Sequence, residues 1–120
     1  MSVPRFMAIT IDATDARRLA AFWTALLNTE VEEELDDGRY VFLAGRDGLP
    51  QLCLQRVPEP KTSKNGVHLD LSVDDLQVAT DLAVSLGGAW VDGQDRVLGR
   101  DAWRTLADPE GNEFDVIVDA

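Results

Sequence analysis

The sequence predicts an α+β fold built from two βαβββ modules in tandem, and three observations predict it. The first is an internal repeat. Displacing the chain by 60 positions lays Phe6-Met7-Ala8-Ile9-Thr10-Ile11-Asp12 on Gly66-Val67-His68-Leu69-Asp70-Leu71-Ser72. The second is a change of period inside each copy, from two residues to a helical repeat. The third is a run of short strand-forming segments after each helix, separated by Asp, Gly and Pro.

Each element follows from local pattern. Residues 6–12 alternate Met7, Ile9 and Ile11 with Ala8, Thr10 and Asp12, which reads as a strand with one buried face. Leu19, Phe22, Trp23 and Leu26 then recur at helical spacing, with Thr14 or Asp15 as N-cap and Asn28 at the stop. Strands are expected over 29–35, 39–44 and 51–57, punctuated by Asp36-Asp37-Gly38 and Arg46-Asp47-Gly48. Residues 58–65, Pro-Glu-Pro-Lys-Thr-Ser-Lys-Asn, form the one linker-like stretch. The second copy repeats the plan: a strand over 66–72, then a helix with the stripe Leu76, Ala79, Leu82, Ala83 and Leu86. Asp74 or Asp75 caps that helix, and Gly87-Gly88 supplies its exit. Strands over 89–92, 96–98, 102–107 and 113–118 follow, the last two flanking the turn Asp108-Pro109-Glu110-Gly111-Asn112. The domain expectation is a single domain over 1–120, with module one at 5–57, a linker at 58–65 and module two at 66–118.

Strand parity separates two faces. Met7, Ile9, Ile11, Leu52, Leu54, Phe114, Val116 and Val118 are expected to pack under the helices. The opposite set, Ala8, Thr10, Cys53, Gln55, His68, Asp70, Glu113 and Asp115, is too polar for a dry core and is expected to line a wet concavity. Trp103, on the strand before the Asp-Pro turn, walls that concavity, packs in the core or makes a dimer contact. Trp23, on the helix stripe, belongs to the core.

Composition narrows the functional classes. In 120 residues, 22 acidic against 11 basic side chains give a net charge of −11, which repels phosphate backbones and anionic lipid. No nucleic-acid or membrane partner is therefore expected. A single cysteine, Cys53, excludes an intramolecular disulfide and fits a reducing compartment, so a cytoplasmic location is expected. The loop at 108–112 does not have EF-hand spacing, and the Gly-containing turns lack the lysine of a phosphate cradle. His68 is the only histidine, so two-imidazole sites within the chain are excluded. On residue type alone it is either a strand histidine bonded to Asp70 or Asp115 inside a polar cavity, or a general base.

Three stretches carry a family resemblance: Ala20-Ala21-Phe22-Trp23, Val67-His68-Leu69-Asp70-Leu71-Ser72-Val73, and Ala107-Asp108-Pro109-Glu110-Gly111-Asn112-Glu113-Phe114-Asp115. In this order they resemble the vicinal oxygen chelate superfamily, also called the glyoxalase/bleomycin-resistance/extradiol-dioxygenase fold. Leu54-Gln55-Arg56-Val57-Pro58-Glu59-Pro60-Lys61 is similar to its single-domain glyoxalase-like branch. The resemblance implies a cup formed by two modules and a homodimer. It also implies a divalent metal (Zn, Ni, Mn or Fe) held by His68, Asp115 and Gln55, with His68 as catalytic residue. Thr10, Cys53, Asp70, Trp103 and Glu113 are the expected ligand-binding residues. One departure is plain: the remaining ligand position falls on Ala8, which has no donor atom, and an alternative alignment places Cys53 where Gln55 stands. Two functions follow. One is a small-molecule-binding, metal-dependent lyase, isomerase or dioxygenase. The other is a non-catalytic protein that sequesters an antibiotic or metabolite, as bleomycin-resistance proteins do.

Overall fold

A computed structural model describes residues 3–45 and 50–119 of the chain. It divides into two units, residues 1–60 and 61–120. The turn signal Arg46-Asp47-Gly48 lies outside the described residues.

In the first unit the elements are β1 (Ala8–Ala13), α1 (Ala16–Leu27), β2 (Val31–Leu35), β3 (Tyr40–Leu43) and β4 (Gln51–Arg56). The sheet order is β1-β4-β3-β2, with β1 parallel to β4 and the remaining pairs antiparallel. Asp15 caps α1 by accepting the Arg18 amide at 3.1 Å, and Asn28 closes it in the left-handed region at φ 52°. Leu19, Phe22 and Trp23 are buried, as are Val41, Leu43 and Leu54 on the strands that α1 packs upon. Phe22 and Trp23 meet edge to face, with ring centroids 5.3 Å apart. The β2–β3 connection uses three consecutive positive φ values at Asp36, Asp37 and Gly38. Gly38 sits at φ 77°, where glycine is favoured for conformation; a Cβ there would meet only the mobile end of the Arg17 side chain.

The second unit has β5 (Leu69–Ser72), α2 (Leu76–Ser85), β6 (Ala89–Trp90), β7 (Arg96–Leu98), β8 (Asp101–Ala107) and β9 (Glu113–Asp119). Its order, β5-β9-β8-β6, repeats that of the first unit, again with a parallel pair, β5 with β9. Here the outer strand is split: β6 and β7 both pair with β8, at opposite ends of it. The break has a local cause. Asp92 accepts the Gln94 amide at 2.9 Å and Gly93 sits at φ 68°, so the backbone turns out of the ladder. Asp75 caps α2 through the Val78 amide at 3.0 Å. Leu106, Phe114, Val116 and Ala83 are buried at 1% exposure or less. Full burial of such Leu, Phe or Val side chains is worth about 1.5–3 kcal/mol each.

Three expectations are corrected. Met7 and Val67 are each 78% exposed and precede β1 and β5, because the ladders with β4 and β9 begin only at Ala8 and Leu69. The strand at 66–72 therefore shortens to 69–72. Leu82, expected in the α2 stripe, is 42% exposed; the buried position is Thr80, turned inward to meet Arg104. No helix among the described residues is long and apolar enough to cross a membrane.

Candidate functional site

The middle of β9 makes the site. Phe114 and Val116 are 1% exposed on the helix side, so Asp115 between them emerges on the opposite face. Its lateral neighbours are Asp70 on β5 and Thr105 on β8, which are its register partners on either side. His68, one residue before β5, completes the group: its Nε2 lies 3.1 Å from Asp70 Oδ1 and 3.3 Å from Asp115 Oδ2. The other Asp115 oxygen, Oδ1, accepts the Thr105 hydroxyl at 2.7 Å. Asp115 is the most enclosed member, with its side chain 14% exposed against 47% for His68 and 57% for Asp70.

The same face continues along the sheet. Trp103 is two residues from Thr105, and Arg96 on β7 is the register partner of Trp103. Arg96 Nη2 bonds Asp92 Oδ2 at 2.6 Å, and that bond raises the guanidinium pKa and lowers that of the Asp92 carboxyl. The field of Asp115 also reaches Arg96, in the same direction. Towards the start of β9, Glu113 points the same way as Asp115 and pairs with Lys64 Nζ at 3.3 Å, while its amide donates to Asn65 Oδ1.

The fit of this group to a divalent cation can be tested from its atoms. Three ligand atoms, one each from His68, Asp70 and Asp115, lie within 4.8 Å of one another. Bonds of about 2.1 Å from nitrogen and oxygen donors put adjacent donors roughly 3.0–3.4 Å apart. The two distances from Nε2 fall in that interval. One imidazole and two carboxylates suit Zn, Ni, Mn or Fe(II). By donor type and by the two Nε2 distances, the residues fit such an ion.

The remaining expected residues lie in the first unit. Gln55 is half-buried on β4, between Asp12 and Tyr40. Thr10 is exposed on β1 beside Cys53, its register partner. Cys53 is 3% exposed; burial pushes its thiol pKa up, against the opposing effect of hydrogen bonds with the Thr10 hydroxyl and the Val41 main chain. Thr105 and Arg96 were not singled out from sequence. Inward parity on the strand before the Asp108 turn was the available signal for Thr105. For Arg96 there was none, because the split of the outer strand sets its register.

A family model described as a glyoxalase-like domain matches residues 8–117. No curated protein matches the chain. Among solved structures, one described as a glyoxalase/bleomycin resistance protein/dioxygenase family enzyme from Burkholderia phytofirmans PsJN superposes with a TM-score of 0.81 at 16% identity. The match covers 98% of this chain and 100% of that one. The genomically encoded fosfomycin resistance protein FosX from Listeria monocytogenes gives 0.76 at 17% identity, covering 99% and 96%. A lactoylglutathione lyase from Agrobacterium tumefaciens gives 0.65 at 17%, covering 98% and 95%. At these identities the likeness shows the fold.

Proposed function

The chain belongs to the glyoxalase-like domain family, within the vicinal oxygen chelate superfamily, and from that membership we propose that it binds an oxygenated small molecule at a divalent ion held by His68, Asp70 and Asp115. The observation that carries the proposal is the convergence of one imidazole nitrogen and two carboxylate oxygens on a single point of the sheet face. When bound, the ion supplies Lewis-acid polarisation of two neighbouring substrate oxygens. The chain's own residues prepare the place. Thr105 holds Asp115 Oδ1, so that Oδ2 stays turned towards the imidazole. Trp103, two residues from Thr105 on the same face, offers a flat apolar surface, and Arg96, braced by Asp92, offers N–H donors further along that face. His68 and Asp70, both about half exposed, leave the group open to an entering molecule. The reaction classes this arrangement serves are those of a lyase, isomerase or dioxygenase acting on vicinal oxygens.

Mn(II) titration followed by electron paramagnetic resonance tests the proposal. Native protein should bind one ion per chain, and His68→Ala and Asp115→Asn should each lose it while keeping the native circular-dichroism spectrum. Unchanged stoichiometry in both variants would overturn the reading. A second reading, sequestration without turnover, is favoured by Ala8, which has no donor atom where the family resemblance places a ligand. Loaded protein that retains 1,2-dicarbonyl or catechol compounds unchanged would assign that reading, whereas their conversion would assign the enzyme.

A further inference from the structure

The first unit carries a groove of about 400 Å³ lined by Thr14, Asp36, Arg39, Arg56, Val57 and Pro58. Its two arginines stand on adjoining backbone positions, Arg39 just before β3 and Arg56 at the end of β4. The β3–β4 register sets Tyr40 against Gln55, and one step further the Arg56 amide donates to the Arg39 carbonyl at 2.8 Å. Like charges directly opposite one another on antiparallel strands destabilise the pair. Here they are poorly compensated. Arg39 Nη1 lies 3.7 Å from Asp36 Oδ2, with both side chains half exposed or more. Arg56 Nη1 reaches the main-chain carbonyl of Asp37 at 3.5 Å, and among the described residues no carboxylate pairs with it.

The neighbouring Arg17 shows the contrast, since Glu34 Oε1 holds its Nε at 2.6 Å. In a chain of net charge −11, two arginines lining one groove from adjoining backbone positions, with one loose carboxylate, form a local conflict that folding alone does not call for. Arg39 also lies over the Tyr40 ring, 5.5 Å from its centroid, which steadies the group and leaves the edges of its fork open.

We infer that this groove binds a compact oxyanion, a carboxylate or phosphate group, between the Arg39 and Arg56 guanidiniums, with Val57 and Pro58 beside the ligand's carbon body. A planar fork matches such an anion with two parallel charge-assisted hydrogen bonds, and a shared anion also removes the repulsion between the two cations. The site lies wholly in the first unit and does not depend on the metal-centre reading.

Titration of chelator-treated, ¹⁵N-labelled protein with inorganic phosphate, and separately with acetate, tests it at constant ionic strength. Saturable shifts confined to the amides of residues 14, 36–39 and 56–57 are expected. A response to both anions assigns any oxyanion, and a response to one assigns that group. Arg39→Gln and Arg56→Gln should each weaken binding about tenfold or more, the loss expected of one charge-assisted pair. Their melting temperatures should stay level or rise, because each removes one of two neighbouring like charges. The inference is overturned if neither anion saturates, if sodium chloride gives the same shifts, or if both variants bind as the native protein does. It is also overturned if both variants lower the melting temperature, which would make the arginines braces of the Asp36–Gly38 turn.

Discussion

Arg104→Ala should destabilise the protein by about 3 kcal/mol, although it removes a charged residue from the middle of a strand. Arg104 is 8% exposed, on the helix side of β8 beside Leu106. Its Nη1 donates to Thr80 Oγ1 and Gln77 Oε1, both at 3.1 Å, and its Nε to Asp95 Oδ1 at 2.6 Å. The guanidinium carbon lies 4.0 Å from the centroid of the Trp90 ring. The buried bond to Thr80 is worth about 1 kcal/mol and the bond to exposed Gln77 about 0.5. Asp95 is 58% exposed, so solvent screening holds that ion pair below about 1 kcal/mol. Stacking on a largely buried indole adds roughly 1 kcal/mol. For a domain of this size the total corresponds to a fall in melting temperature of roughly 10–15 °C.

Urea unfolding followed by tryptophan fluorescence measures the effect, since Trp90 sits directly against the group. Arg104→Lys keeps the charge but loses the fork and the stacking, and should cost about 2 kcal/mol. Asp95→Asn should cost under about 1 kcal/mol. If Asp95→Asn proves as costly as Arg104→Ala, or if Arg104→Ala costs under about 1 kcal/mol, the reasoning that burial and stacking dominate this cluster is refuted.

Two further outcomes follow from the geometry. Thr105→Val removes the hydroxyl that holds Asp115 Oδ1 and should weaken Mn(II) binding about tenfold, the lower range for a charge-assisted bond, while Thr105→Ser restores it; equal affinities by calorimetry would contradict this. Burial raises the Cys53 thiol above its ordinary 9.0, so the folded state holds its proton at pH values where the unfolded chain has lost it. Stability is then fully present below about pH 9 and declines as pH rises through the folded value, and Cys53→Ala should flatten that decline in melting curves recorded from pH 7 to 10.5.

Much of this fold is legible in the sequence because its signals are local. Alternation in 8–12, the caps at Asp15 and Asp75, the stop at Asn28 and the turn at 108–112 depend on residues within a few positions of one another. The internal repeat then matched the elements of the second unit to those of the first. Local pattern failed where a partner strand or a buried polar group decided the outcome. Phe6 and Met7 alternate correctly but have no β4 residue to pair with, and Thr80 displaced Leu82 from the buried side of α2 because a buried guanidinium needs an acceptor. Nothing local in the sequence marks Arg104 for burial; the stacked Trp90 and the three acceptors around it make that burial tolerable.

The candidate site divides in the same way. Parity placed His68, Asp70 and Asp115 on one polar face with five other residues, because side chains on a strand alternate faces whatever their long-range partners are, and the family resemblance marked His68 and Asp115 as metal ligands with Gln55, not Asp70, as the third. The convergence of His68, Asp70 and Asp115 required tertiary structure. The parallel register of β5 with β9 sets Asp70 beside Asp115, and the hairpin register of β8 with β9 brings Thr105 to the other side. Those registers arise from hydrogen-bonded ladders between segments more than 40 residues apart for β5 and β9, and only packing under α2 chooses among the possible alignments.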